Sequence, residues 1–320
     1  MTACDLSRRE FVVRSGSCAA YLSATAAFAG PTAARLWAAP RRTVVAQEAW
    51  GRIEAVGDGL WALISTPLTG DYTTLSNGGI IRGRNGVLIV EGTASPEGAV
   101  WMAEQAKELA GRVPTHVVVT HHHGDHSRGV DGFSSSPKLH VTESIQDRVT
   151  GSFDTGTEPD RARPWADVTL IGIDDPTEID LGGRTAIIRP LDGHTQSDLV
   201  VDLPEDGVTW CGDLVWNEMF PNYVDATPSR LSASVDALRA DERTVWVPGH
   251  GPLADAADMA TYQSILDDIG AAARRAAVAG RTAAEAAELY SLPEDVGEWT
   301  LFNPGYFERA IGAWMRELEG

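Results

Sequence analysis

Lysine is nearly missing: the 320 residues hold two, Lys107 and Lys138, within a formal charge of −19. Affinity for nucleic acid comes chiefly from neutralised phosphates, so a chain with no Lys/Arg cluster beyond its N-terminus is a poor DNA or RNA binder. Cysteine is scarce too. Cys4 and Cys18 fall in an N-terminal segment set apart below, which leaves Cys211 alone and no internal disulfide in the mature protein. No run of about 18 strongly apolar residues occurs, which excludes a multi-span membrane protein. A Gly-x-Ser-x-Gly elbow is also absent, so nothing suggests a serine nucleophile. What is present is ordinary for a soluble enzyme, 43% hydrophobic and 22% charged, and long enough for one large domain or two small ones.

The N-terminus reads as an address. Ser7-Arg8-Arg9-Glu10-Phe11-Val12, followed by a weakly apolar Ala/Ser/Gly-rich stretch, resembles a twin-arginine export signal. Small residues suit cleavage after Ala29 or after Ala46. Residues 1–46 are therefore expected to be signal and linker, and the mature protein periplasmic or extracellular. It would be delivered by the twin-arginine machinery without stable membrane insertion. The later cut removes Arg8, Arg9, Arg14, Arg35, Arg41 and Arg42 with Asp5 and Glu10, a net four positive charges, and moves −19 to −23. The case against nucleic acid strengthens.

From Arg52 to Val90 short apolar runs alternate with turn signals at Gly57-Asp58-Gly59 and Asn85-Gly86, a β pattern. The polar stretch Thr66 to Gly79 between them is long enough for a functional flap. Ser95-Pro96 opens a helix that Gly111 stops, and a strand over Thr115–Thr120 follows, so this region reads as βαβ. Further strands are expected at Thr185–Arg189, Leu199–Leu203, Val208–Cys211 and Thr244–Val247, with a helix after Thr227-Pro228. From Asp255 the chain is helical and Ala-rich. Two β-rich halves, each closing with helices, suggest two sheets covered by helices.

At the end of the Thr115–Thr120 strand stands His121-His122-His123-Gly124-Asp125-His126. Two apart on an extended segment, His121 and His123 project to one side. Gly124 permits a sharp turn that returns Asp125 and His126 toward the same point. Imidazole and carboxylate are ligands that Zn²⁺ accepts.

His-x-His-x-Asp-His is the signature of the metallo-β-lactamase superfamily, and this chain resembles it over about residues 50–255. Gly193-His194-Thr195, Gly212-Asp213 and Gly249-His250-Gly251 follow in the family's order, each after a strand. The resemblance implies an α/β fold, a four-layer αββα sandwich of two mixed β-sheets covered by helices. The catalytic domain would span 47–254, with a helical extension over 255–320 packed on it. The resemblance further implies two divalent metal ions, zinc first among them. His121, His123 and His194 would hold one, and Asp125, His126 and His250 the other, with Asp213 bridging. His122, His116 and His140 are read as structural or solvent-facing. Glu91 stands where many members have aspartate, which bears on the support of the metal-binding loops.

Two such ions bring a shared water to a pKa near 7, and the hydroxide would attack a small-molecule substrate with Asp125 orienting it and moving its proton. An aspartate at 213 argues against penicillin hydrolysis as the main activity, His123 against the oxygen-reducing relatives, and the acidic charge against the RNA-processing ones. The glyoxalase II/lactonase-like branch remains, with hydrolysis of an ester, thioester or lactone-type bond. Alternatives are a mononuclear-iron, persulfide-dioxygenase-like oxidoreductase, β-lactam hydrolysis, and an accessory protein that binds metal without turnover. Trp216, Phe220 and Tyr223 stand near the ligands as candidate pocket or packing residues.

Overall fold

A computed structural model describes residues 42–152 and 159–319 of the chain. The export signal read at Arg8-Arg9, with Cys4 and Cys18, lies outside the described residues. Eight strands form the first sheet in sequence order: β1 (Val44–Gln47), β2 (Gly51–Gly57), β3 (Leu60–Ser65), β4 (Gly78–Arg82), β5 (Val87–Val90), β6 (His116–Val118), β7 (Lys138–Val141) and β8 (Val168–Leu170). Neighbours from β1 to β5 are antiparallel and those from β5 to β8 parallel. The parallel part needs crossovers, and the helices α1 (Pro96–Ala110), α2 (Gly124–Ser127) and α3 (Glu143–Gly151), then the short α4 (Pro159–Ala162), fall in those connections.

The second sheet runs β13-β12-β11-β10-β9, where β9 is Thr177–Asp180, β10 Thr185–Leu191, β11 Asp198–Leu203, β12 Val208–Trp216 and β13 Val245–His250. Only the β12–β13 pair is parallel, with α5 (Pro228–Ala240) as its crossover. Both sheets are mixed, as expected. Val87-Leu88-Ile89-Val90 is buried at every position, because a parallel strand covered on both faces has no side for polar residues.

Two cores hold the layers together. In one, Leu60, Ile81 and Leu88 of the first sheet and Ile188, Val201 and Trp210 of the second join a cluster to which α1 adds Ala99 and Met102. On the far side of the second sheet a separate core joins Val200, Cys211 and Trp246 to Leu231 and Val235 of α5, and to the C-terminal helices. Those are α6 (Ala256–Val278), α7 (Ala283–Glu288) and α8 (Tyr306–Glu319). Helix, sheet, sheet, helix is the result.

Local chemistry sets the ends. Ser95 caps α1 by accepting from Gly98 N, and Gly111 closes it in the left-handed conformation. Thr227 stands at the N-cap of α5, but its side chain makes no capping bond, so Pro228 at the first turn carries that signal. Residues 44–46, expected in the linker, instead begin the first sheet: Val44 pairs with Glu54 and Ala46 with Ile53. A cut after Ala46 would sever this strand. The expected strand over Thr115–Thr120 is paired only at His116–Val118, and its remainder leaves the sheet to build the site.

Candidate metal centre

The site lies where several strands of both sheets end. Beyond Val118 the chain leaves the sheet, bends over His121–His123 and turns into α2, whose first turn carries Asp125 and His126. His194 sits in the β10–β11 connection, Asp213 within β12 and His250 at the end of β13. Two glycines make room. Gly212 adopts φ +52, beside a break in the β12–β13 register. A Cβ on Gly249 would fall on Asp213 Oδ1.

All seven residues singled out from the sequence meet here, in two groups. His121, His123, His194 and Asp213 form one, and Asp125, His126 and His250 the other. His123 Nδ1 lies 3.1 Å from His121 Nε2 and 3.0 Å from His194 Nε2. Asp213 divides its oxygens between the groups. Oδ2 is 3.3 Å from His194 Nε2 and 3.9 Å from His121 Nε2. Oδ1 is 3.1 Å from His126 Nε2 and 3.4 Å from His250 Nε2. Asp125 Oδ2 lies 3.1 Å from His250 Nε2 and 3.5 Å from His126 Nε2.

The contacts of His126 and His250 with the two carboxylates are close without being good hydrogen bonds. His126 Nε2, His250 Nε2 and Asp213 Oδ1 are buried and lack a hydrogen-bond partner among the described residues. Buried polar atoms are normally paired, so orphaned ring nitrogens and a carboxylate oxygen crowded together call for a cation. The donor set, imidazole with carboxylate, fits divalent metal ions. The electrostatics agree. Burial opposes charge on Asp213 and Asp125, yet the surrounding histidines hold both carboxyls well below the usual range. Burial takes His194 down to about 3, whereas for His250 it is overridden by Asp213 and Asp125, which push the ring up to about 9.

Further residues hold the donors in place. Glu91 is buried at φ +79, Oε1 accepting from Thr120 Oγ1 at 2.5 Å and Oε2 from Thr120 N at 3.2 Å. Its Oε1 also lies 3.0 Å from His126 Nδ1, outside hydrogen-bond geometry. The longer side chain therefore supports the metal-binding loops. Asp225 was invisible in the sequence: its Oδ2 is 2.9 Å from His123 Nε2 and 3.2 Å from His122 Nε2. The partner lies 102 positions away from His123, and no local pattern marks it. His122 is thus tied to the cluster's edge rather than left to solvent. Asp198, also unanticipated, accepts from the backbone N–H of His194 and Thr195 and from Thr195 Oγ1. Its signal was short-range, an aspartate three residues after a threonine. His116 and His140 pair with each other away from the site, Nδ1 to Nε2 at 2.9 Å.

The stretch expected as a flap is pinned at its later half. Ser76 Oγ donates to the carbonyl of Asp125 at 2.7 Å, and Asn77 Nδ2 to those of Pro248 and Gly251. Above the metal groups opens a cavity of about 310 Å³ that reaches Asp125, Asp213 and His250. Of the three aromatic candidates only Trp216 lines it, packed against His250 with ring centroids 4.0 Å apart. Phe220 and Tyr223 are packing residues of the helix-side core.

A sandwich of two mixed sheets, with histidines and aspartates gathered at its strand ends, defines a class of metal-binding proteins. The family profile described as the metallo-beta-lactamase superfamily matches residues 72–256. The chain belongs to that superfamily and is a hydrolase of that class. A hydroxyacylglutathione hydrolase of Acidiphilium cryptum is 31% identical over 214 residues, 66% of this chain and 78% of the relative. Three further proteins of that name are matched over only 43–51% of their own length. Among solved structures, a metallo beta lactamase from Erythrobacter litoralis superposes with TM-score 0.54 at 16% identity, covering 70% of this chain and 99% of that one. The sec-alkylsulfatase Pisa1 from Pseudomonas sp. gives TM-score 0.63 at 16% identity, over 81% of this chain and 49% of that one. At such identities the structures speak for the fold.

Proposed function

We propose that the chain cleaves an ester, thioester or lactone-type bond in a small molecule, using two divalent ions, zinc in the first instance. His121, His123 and His194 would hold one ion, Asp125, His126 and His250 the other, and Asp213 both. The division of Asp213's two oxygens between the two groups carries this reading. Bound there, such a pair supplies Lewis acidity and a water acidified to a pKa near 7. Asp125 stands at the cavity with its carboxylate 21% exposed and one oxygen 3.1 Å from His250 Nε2, so it can orient a nucleophile and carry a proton to the leaving group. Asp198 and Glu91 keep the histidine loops in place while this happens. The thioester chemistry named for the Acidiphilium relative supports a thioester as the first substrate class to test.

Metal-replete protein should contain close to two metals per chain by elemental analysis and should turn over members of a thioester, ester and lactone panel. One iron per chain with no hydrolysis anywhere on the panel would overturn the proposal in favour of an oxidoreductase of the persulfide-dioxygenase kind. We also propose that Arg8-Arg9 directs export through the twin-arginine route to the periplasm or beyond. Replacing both with lysine should leave precursor in the cytoplasm; undiminished export would refute it.

A further inference from the structure

Beyond the metal groups the cavity changes character. Pro67 and Leu75 approach from the β3–β4 connection, Met219 and Val224 from the segment after β12, and Phe302 and Tyr306 from the C-terminal segment. The charged side chains that line it belong to the metal groups; Asn222 is a further polar lining residue, and Arg309 stands behind the wall, donating to Asn222 Oδ1 at 3.0 Å and lying over the Tyr306 ring. The C-terminal wall is tied down by backbone: Thr300 N donates to Glu218 O at 2.8 Å, and Phe220 N to Thr300 O at 2.9 Å. Across the mouth Tyr72 meets Phe302 edge to face, ring centroids 6.3 Å apart. Tyr72, Val224 and Phe302 are left 53%, 48% and 37% exposed around this opening. Large apolar side chains kept in water beside a polar centre suit a ligand that covers them. Tyr306 adds one polar feature, a hydroxyl with no hydrogen-bond partner among the described residues.

We propose that the C-terminal segment completes the substrate pocket, and that Phe302 and Tyr306 select substrates carrying an uncharged, apolar acyl group several carbons long. This rests on the hydrolase reading above and narrows its substrate class. A glutathione-like leaving portion carries carboxylates, and the arginine beside this wall, Arg309, is already engaged by Asn222 Oδ1 and the Tyr306 ring; an aliphatic acyl chain meets apolar side chains on three sides. The Tyr306 hydroxyl is free to donate to an oxygen at the head of that chain.

The test uses full-length, metal-replete protein and two readouts. Binding of acetate, hexanoate, octanoate and succinate is measured by calorimetry, and hydrolysis of the matching acyl thioesters by kcat and KM. Affinity should rise roughly fourfold per added methylene until the cavity fills, as burial of each CH₂ predicts, and succinate should bind at least tenfold more weakly than hexanoate. Phe302→Ala should flatten the chain-length series, acting mainly on KM, with metal content unchanged. Tyr306→Phe should keep that series but lower kcat/KM throughout. Equal binding of acetate and octanoate, or a series untouched by Phe302→Ala, overturns the inference even if the protein hydrolyses thioesters. Absence of turnover on any substrate, with octanoate bound in a Phe302-dependent way, upholds the pocket and overturns the hydrolytic reading instead.

Discussion

On the proposed two-metal reading Asp213 would work as a bridge, because a carboxylate can place one oxygen on each of two cations, while an amide is neutral and a poorer ligand. The contacts of Oδ1 and Oδ2 with different histidines prepare this division. Asp213→Asn is expected to keep the fold, bind nearer one metal than two, and lose about 10–100-fold in metal affinity or activity. His122→Ala, beside the proposed ligands but not among them, should be close to neutral in both. Retention of two metals by the first with loss by the second would invert the assignment. Asp225 acts at one remove. Accepting from His123 Nε2–H, it leaves Nδ1 as the lone pair facing the other donors. Asp225→Ala should therefore weaken metal binding by roughly 10–100-fold, and chelator competition on the purified protein measures it. An unchanged affinity would show that packing alone orients His123.

At the scale of strands, Asp202 of β11 shows how charge knits the second sheet. It accepts from Thr209 Oγ1 at 2.7 Å and from Arg243 at 2.9 and 2.8 Å, with Arg189 Nε 3.7 Å away. Burial raises its pKa, but hydrogen bonds from Arg243 and Thr209 and both arginine charges more than offset this, so the net shift is downward. A carboxyl that holds its charge to lower pH when folded than when unfolded stabilises the protein above about pH 4, and that gain drains as pH falls through the folded pKa. Asp202→Asn should cost about 2 kcal/mol at neutral pH and lose part of the acid-sensitivity of the melting temperature below pH 4. A parallel drop in melting temperature at every pH would argue against the linkage. The same scale shows what the sequence could convey. Strands such as Val87–Val90 and the ligands at strand ends were legible because periodicity and adjacent ligands are local patterns. Asp225, Phe302 and the clamp of Asn77 on β13 were not, since each depends on a contact between segments far apart in the chain. β1 was missed for another reason: Val44-Val45-Ala46 reads equally as the small-residue end of a signal segment, and a four-residue, mostly exposed strand is too short to mark itself.

For the whole molecule, the helices after 254 are structural. Met259, Tyr262, Ile265, Leu266 and Ile269 of α6 are each at most 1% exposed and share a core with Leu231 and Trp246. At about 1.5–3 kcal/mol per buried side chain, these five contribute on the order of 10 kcal/mol, comparable with the stability of an ordinary domain. A chain ending at residue 254 should therefore be insoluble or lack a cooperative thermal transition, whereas 42–319 should melt cooperatively. A soluble, cooperatively melting truncation would show that the sandwich stands without α6.

The segment from Asn217 to Ala226 has three attachments: Asp225 to His123, Met219 and Val224 to the cavity, and Glu218 and Phe220 to Thr300. On the proposed metal site and pocket, metal affinity and substrate choice would share one stretch of backbone. Mutational effects at these positions should be epistatic. In a double-mutant cycle, Val224→Ala and Asp225→Ala would fail to add by about 0.5 kcal/mol or more in metal binding. Evolution of this enzyme toward new substrates is steered accordingly: variation in the C-terminal wall at Phe302 leaves the metal ligands untouched, while variation in the 217–226 segment puts them at risk.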